Sequence, residues 1–457
     1  MGRPPANGGT APPPPPPPPG RCHFWLPSKR RHCANSPLPS SQYCGNHAPA
    51  SSSDSRRRVP CPVDPSHTVF EENLEAHVGK CPFRKQADAL AAQPYYSKGI
   101  NSGGGGGADV TSATKRALVH GLSEEEFWGL VAKIRSAHSK AAVEMREAYA
   151  ATDACDRWMR GQVDRKVPYQ EKHVAQQVSI VGNMETFGLL TRGGTGDVAE
   201  EVAAEDDAPA VVEFGAGRGY LTQLLADCYG IRNIFLVERR SYKLKADRSL
   251  RQNDGVTLKR LRIDIEDFNL HGVEALSGVQ YLAIGKHLCG PATDMTIMCC
   301  LHEQYNYTEE KVHDKHRFRG LALATCCHHL CQWKHYANKA FVSGLGITEE
   351  EFHAMTWFSS WAVDGDHSSR DSSLEAEDSP SEVRETEKPG PEITRTERLI
   401  RGIPGEERSA LGFMCKDIID TGRLLWLRHK GLEADLVSYV PSNVSPENRL
   451  LVAKCKH

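Results

Sequence analysis

The sequence predicts an α/β fold, a mainly parallel sheet with helices on both faces, preceded by two small cysteine–histidine modules and a helical connector. Three observations carry that expectation. Val212-Glu213-Phe214 runs as a buried strand into a glycine turn, Gly215-Ala216-Gly217-Arg218-Gly219, that opens a helix. Further short apolar strands follow at intervals that leave room for crossover helices. The N-terminal cysteines and histidines fall into two tetrads with metal-ligand spacing.

The glycine turn comes first because glycine lets backbone approach a ligand and adopt angles that a Cβ forbids, and a helix start offers free N–H donors. A dinucleotide loop needs G-x-G-x-x-G, but its third glycine position is Tyr220, and an acid, Glu213, stands at the strand end. The pattern E-x-G-x-G-x-G favours S-adenosylmethionine, with Gly215, Gly217 and Gly219 around it and Glu213 beside them. The next strand, Ile234–Val237, ends in Glu238, placed to accept both ribose hydroxyls. A third strand is expected over Leu261–Ile265, where Asp264 reads either as a partner of the adenine amino group or as a turn residue.

Composition sets the class. A chain of 457 residues, 39% hydrophobic, with net charge −2, is an ordinary soluble protein of two or three domains. Residues 1–90 hold 11 Lys and Arg against 6 Asp and Glu, an excess of +5 that suits phosphate. No apolar run is long enough for a bilayer and no signal-peptide core is present, so a location inside the cell, nucleus and/or cytoplasm, is expected without a membrane partner. Fifteen cysteines in a reducing compartment are read as metal chemistry before disulfides.

One tetrad is Cys61, His67, His77 and Cys81. A helix over Glu71–Lys80 puts His77 and Cys81 on one face, while Cys61 and His67 close a tetrahedron. Phe70, Leu74 and Phe83 are expected to form a miniature core too small to hold without metal. The other is Cys22, Cys33, Cys44 and His47 among Arg21, Lys29, Arg30 and Arg31, with His23 or His32 as substitute ligands. Zinc, two ions in all, is the expected metal. A third group, Cys326-Cys327-His328-His329, ends the core strand Gly320–Ala324. Adjacent strand residues point to opposite faces, so one ion is not expected there unless the backbone turns; lining of the site and buried structural thiols are the two readings.

Tyr281–Ile284 reads as a strand leading into Gly285-Lys286-His287-Leu288-Cys289-Gly290 and then a helix, the place where a methyl acceptor would bind. Lys286, His287 and Asp294 are the candidate catalytic residues: His287 titrates nearest neutrality, Lys286 is a base if its pKa falls, and Asp294 orients either. Against this, Thr293 and Asp294 read equally simply as a helix cap. Ser123 with Glu126 forms a capping box ahead of Phe127, Leu130, Val131 and Ile134 at helical spacing, a helix expected to pack on the catalytic domain with Trp128 and Trp158. Lys172–Asn183 reads as an amphipathic helix with Gln176 and Gln177 on its polar side and a site role.

Taken together, the two fingers in this order, Lys172–Asn183, the VEFGAGRGYLT loop, the KHLCGPATD and ATCCHH segments and Gly412–Arg423 resemble eukaryotic tRNA 2'-O-methyltransferases that act on nucleotide four of the acceptor stem. The resemblance covers roughly residues 21–85 and 165–455. It implies a Rossmann-like S-adenosylmethionine-dependent methyltransferase domain, with the tRNA acceptor stem rather than DNA as acceptor and a methylated ribose as product; it implies no oligomeric state. Duplex RNA displays its 2'-hydroxyls in a shallow minor groove, which fits such a target. Arg239, Arg240, Lys243, Lys245 and Arg248 are either phosphate contacts or a solvated helix face.

The expected organisation is a disordered Pro-rich arm at 1–20, a CCCH module at 21–48 and a CHHC finger at 58–85. A flexible linker follows at 86–108, then a helical connector at 109–165 and the methyltransferase domain at 166–457, with a disordered Ser- and Glu-rich insertion at 364–398. The rival is a non-catalytic zinc-finger RNA-binding or splicing-associated protein on a methyltransferase-like scaffold; intact loop glycines, Glu213 and Glu238 argue against it. A base or protein methyltransferase is disfavoured because no N-P-P-[YF]-like turn follows the fourth strand.

Overall fold

The sheet expected from the glycine loop is present and has eight strands. A computed structural model describes residues 16–26, 31–39, 41–44, 47, 57–64, 67–104, 107–142, 145–163, 171–190, 209–240, 245–252, 255–301, 317–364 and 394–456. The chain divides into two units, Met1–Ala92 and Gln93–His457.

The first unit is built around cysteine rather than aliphatic side chains. Trp25–Leu26 pairs antiparallel with Arg31–His32, and Arg58–Pro60 with Thr68–Phe70. The expected helix Glu71–Lys80 begins as a 3-10 turn, Glu71–Asn73, and becomes α-helical over Leu74–Lys80 with no buried residue. The miniature core is correspondingly thin. Phe83 is exposed and stacks on His67 with centroids 5.3 Å apart, while Phe70 receives the Arg58 guanidinium at 4.7 Å. A second helix, Pro82–Ala91, starts at Cys81 with proline in its first turn.

That helix occupies the start of the segment expected as a linker at 86–108, and residues 99–103 after it are held by specific contacts. Asn101 Nδ2 donates to the carbonyls of Ile265 and Phe268 at 2.6 and 2.8 Å, and Gly99 N–H donates to Asp267 at 2.7 Å. A Cβ on Gly103 would lie 2.5 Å from the Lys334 carbonyl, so this glycine serves close approach, not flexibility.

In the second unit the sheet strands are β1 (Arg146–Glu147), β2 (Ala210–Phe214), β3 (Asn233–Val237), β4 (Thr257–Leu261), β5 (Gln280–Cys289), β6 (Arg317–Cys326), β7 (Leu432–Ser438) and β8 (Arg449–Cys455). Their order is β1-β7-β8-β6-β5-β2-β3-β4. All neighbours run parallel except β8, which is antiparallel to both β6 and β7. The order reverses beside β2, the switch point at which ligands sit beyond the strand ends.

Alternation along β2 sends Val211 into a core shared with helices Glu171–Thr186 and Tyr220–Tyr229, and Phe214 towards Phe268, 6.0 Å between centroids. A second core joins Phe127, Leu130, Val131 and Ile134 to Phe352, Phe358, Ile418 and Ile419. The capping box of Ser123 and Glu126 is formed at the start of Glu124–Ala141. The connector is more than helical, because β1 adds a strand to the sheet. Trp128 is exposed, whereas Trp158 packs on the first core and donates to Asp227 at 2.9 Å.

Three further expectations are corrected. The strand over Leu261–Ile265 stops at Leu261, because Asp264 accepts from Glu266 N–H and starts a 3-10 turn. Gln176 and Gln177 are buried rather than on a polar face, with Gln176 Oε1 3.4 Å from His173 Nδ1. The end of the expected insertion is a helix, Arg395–Gly402, capped by Thr394 and anchored by buried Thr396 and Ile400. Residues 365–393 and 1–15 lie outside the described residues. Among the described residues no helix is long and apolar enough to cross a membrane.

Candidate active site and metal centres

The glycine turn leaves β2 with Gly215, Gly217 and Gly219 all at positive φ, +59°, +49° and +76°. An L side chain is strained at each. Added Cβ atoms on Gly215 and Gly219 would press on Leu288 and Leu236 at 3.2 Å, so both glycines are fixed by packing. Beside Gly217 a Cβ would find nothing nearer than 4.0 Å, so no side chain presses on this glycine from that direction.

Two carboxylates hold this loop. Glu213 is buried and accepts from the backbone N–H and hydroxyl of Thr222 in the following helix. Burial pushes its carboxyl up to about 7, against the pull of Thr222 and the more distant Arg260. Through Oε2 this side chain fastens the end of β2 to the following helix. Glu238 ends β3 and accepts from Gly217 N–H at 3.1 Å and Arg240 N–H at 2.9 Å. Asp264 takes the turn role, with Arg239 3.2 Å away.

The second group of candidate residues lies on β5, the neighbour of β2. Lys286 is buried at its end, with Nζ 3.2 Å from His173 Nδ1 in helix Glu171–Thr186. His287 is exposed, its ring edge-on to that of His173 at 6.2 Å. The His287 carbonyl lies 3.3 Å from the position a Cβ on Gly215 would take, which joins this group to the glycine loop. Sequence reasoning gave the Lys172–Asn183 segment a site role but not His173 by name; one histidine on a buried helix carries no signal until the fold sets it beside Lys286.

Asp294 does not belong to this group. Its carboxylate is buried and receives Arg423 through Nη2 at 2.5 Å and Nε at 3.2 Å, as well as Ala337 N–H. It is a structural ion pair, so the catalytic expectation for it is corrected. Arg423 also reaches Asp420, which takes Thr325 Oγ1 at 3.0 Å and His328 Nε2 at 2.8 Å. Burial opposes charge on Asp420, but His328, Arg423 and Arg449 hold it well below the usual carboxylate range. The signal for this network was present in the sequence: Asp417, Asp420 and Arg423 sit three apart among Ile418, Ile419 and Leu424.

Both N-terminal tetrads converge. In one, Cys22 and Cys44 lie 3.6 and 3.4 Å from His47 Nδ1, and Cys33 lies 4.0 Å from Cys44. His32 instead bonds the His23 carbonyl, so neither substitute ligand is needed. In the other, His67 and His77 bring their Nε2 atoms to 3.0 Å, Cys61 and Cys81 bring their sulfurs to 3.9 Å, and each sulfur faces an imidazole. Two thiols and two imidazole nitrogens gathered tip to tip are the donor set of a tetrahedral metal site. Lys29, Arg30, Gly45, Asn46 and Lys243 lie outside the described residues.

The third cysteine group behaves otherwise than expected. Cys327 has φ +49° and ψ 47°, so the backbone turns at the end of β6. Cys326 and Cys327 then both approach Cys289 of β5, and the three sulfurs lie within 4.8 Å of one another.

Comparisons with known proteins agree with this arrangement. The methyltransferase TRM13 family matches residues 175–454, the CCCH zinc finger in TRM13 protein matches 20–48, and the U11-48K-like CHHC zinc finger matches 58–82. A rice protein (Oryza sativa subsp. japonica) called tRNA:m(4)X modification enzyme TRM13 is 73% identical over 250 residues, 54% of this chain and 99% of its own. Homologues of that enzyme from Mus musculus and Homo sapiens are 31% and 30% identical, each over 96% of this chain and 95% of their own. A solved coclaurine N-methyltransferase aligns at TM-score 0.25 and 11% identity over 81% of this chain and 99% of its own, a likeness too low to carry an argument. On the family match over most of the α/β unit, with both fingers in place, the chain belongs to the TRM13 family of tRNA:m(4)X-modifying methyltransferases.

Proposed function

We propose that this methyltransferase transfers the methyl group of S-adenosylmethionine to the 2'-hydroxyl of nucleotide four in the tRNA acceptor stem, using His287, Lys286 and His173. The observation that carries this reading is the Lys286–His173 contact, with exposed His287 beside it, on the strand adjoining the glycine loop.

Gly215, Gly217 and Gly219 would shape the cofactor pocket and Glu238 would clamp its ribose, a carboxylate being able to accept from two hydroxyls at once. Asp264 would border the adenine through the same turn that it caps. When bound, S-adenosylmethionine supplies an electrophilic methyl carbon on a positively charged sulfur. The ribose hydroxyl must be held in line with that bond and lose its proton. His287, exposed beside the Lys286–His173 pair, accepts that proton. His173 Nδ1 lies within hydrogen-bond distance of Lys286 Nζ and 3.4 Å from Gln176 Oε1, and these contacts hold the imidazole and the Lys286 side chain together at the strand.

Cys22, Cys33, Cys44 and His47 would hold one zinc ion, and Cys61, His67, His77 and Cys81 a second, each replacing a core that these small modules lack. The exposed Arg21, Arg31, Arg239, Arg240 and Arg248 would meet RNA phosphates. The test is transfer of radiolabelled methyl from S-adenosylmethionine to total tRNA, followed by nuclease mapping. Label on the ribose of nucleotide four is expected. Label on a base, or no transfer by protein that still binds tRNA, would overturn the proposal.

A further inference from the structure

We propose that Cys289, Cys326 and Cys327 form a third metal site, a three-thiolate zinc centre at the ends of β5 and β6 that is separate from both fingers. The inference rests on how two strand ends meet. Cys289 and Cys326 are direct partners in the parallel register of β5 and β6, and their sulfurs lie 3.5 Å apart. On a continuing strand Cys327 would point to the other face. Instead it adopts the left-handed conformation at φ +49°, unusual for a residue with a side chain, and returns its sulfur to the same side.

The spacing fits a soft divalent ion. Thiolates about 2.3 Å from a tetrahedral zinc stand about 3.8 Å from each other. The cysteine pairs of the two fingers show 4.0 and 3.9 Å, and the new group shows 3.5 Å for its closest pair. Cys326 is buried while Cys289 and Cys327 are half-buried, so the fourth coordination position opens towards solvent and takes a water.

The surroundings hold the three sulfurs in this arrangement. Gly290 N–H donates to the Cys326 carbonyl at 3.1 Å, and a Cβ on Gly290 would strike Leu330 at 2.5 Å, so the two turns interlock. Buried Lys115 donates to the carbonyls of His329 and Cys331 at 2.9 and 2.6 Å, bracing the second turn from another helix. An ion here would bolt together the strand ends that present Lys286 and His287.

The experiment compares zinc content of the purified full-length wild type with C289S/C327S and, as a reference for the fingers, C33S/C81S. The expected result is one zinc ion per chain fewer in C289S/C327S. That difference is read independently of how many ions the fingers carry, and C33S/C81S reports the fingers separately. Alkylation of the wild type is independent of how the variant folds: Cys289 and Cys327 are expected to resist iodoacetamide until a chelator is added. Equal zinc in wild type and a folded C289S/C327S, equal alkylation with and without chelator, or a Cys289–Cys326 disulfide in the native protein would each overturn the proposal.

Discussion

Lys286 Nζ lies 3.2 Å from His173 Nδ1, across 113 residues of sequence, at the point where a buried helix meets the end of β5. The contact separates the two side chains, since His287 is exposed and Lys286 is buried. His287→Ala is expected to slow methyl transfer about 10²- to 10⁴-fold, the usual share of a general base. His173→Ala is expected to lower the rate less and to leave cofactor affinity intact. Single-turnover kinetics at saturating tRNA measure both, and a wild-type rate for His287→Ala would remove it as the base.

Glu238 accepts from the Gly217 N–H and so predicts a cofactor effect alone. Glu238→Gln should weaken S-adenosylmethionine by roughly 1.5–3 kcal/mol, the range for hydrogen bonds to a charged group. Calorimetric titration with cofactor, and separately with tRNA, checks this; equal loss of both affinities would contradict a ribose clamp.

The Asp294–Arg423 pair predicts the opposite pattern. Asp294→Asn removes one of the two carboxylates that face the buried Arg423 guanidinium, leaving Asp420 as its counter-charge, a loss of about 2–4 kcal/mol. The melting temperature should fall markedly while the turnover of protein that remains folded changes little. A catalytic Asp294 would give the reverse, full stability with little turnover.

Glu213 gives a pH signature. Its folded pKa is raised to about 7 from an ordinary 4.5, so between those values the folded protein binds more protons than the unfolded chain. Stability from this group is present below pH 4.5 and is lost as pH rises to 7, on the order of 3 kcal/mol across the window. Glu213→Gln keeps an acceptor for Thr222 and removes the charge. Denaturation at pH 5 and 8 should therefore show the variant gaining on the wild type at the higher pH.

Zinc removal should unfold the first unit, whose buried side chains are chiefly cysteines, and weaken tRNA binding. Circular dichroism and tRNA titration before and after chelation measure this. Cofactor binding should survive, because Glu238 and the loop glycines belong to the second unit.

The sheet and glycine loop were legible because each rests on local pattern: a strand run, three glycines and an acid at a fixed distance. The finger tetrads were legible for the same reason. Asp294 was misjudged because its partner, Arg423, is 129 residues away, and a buried acid looks the same in sequence whether it faces substrate or an arginine. Glu213 was placed on the correct strand end, but only the packing shows that Thr222 donates twice to its Oε2. Glycines at 103–107 suggested slack, whereas Gly103 is required by the Lys334 backbone pressing against it. Cys327 turned on one backbone angle, which residue types alone do not specify.

The position of β8 has a consequence for how the protein is made. Arg449–Cys455 lies inside the sheet, between β6 and β7, pairing with both, although both precede it in sequence. Until this strand has been synthesised and has left the ribosome, β6 has an open flank and β7 has no place to dock. Chains cut short even a few residues before Arg449 would expose an unpaired, apolar strand edge to their neighbours.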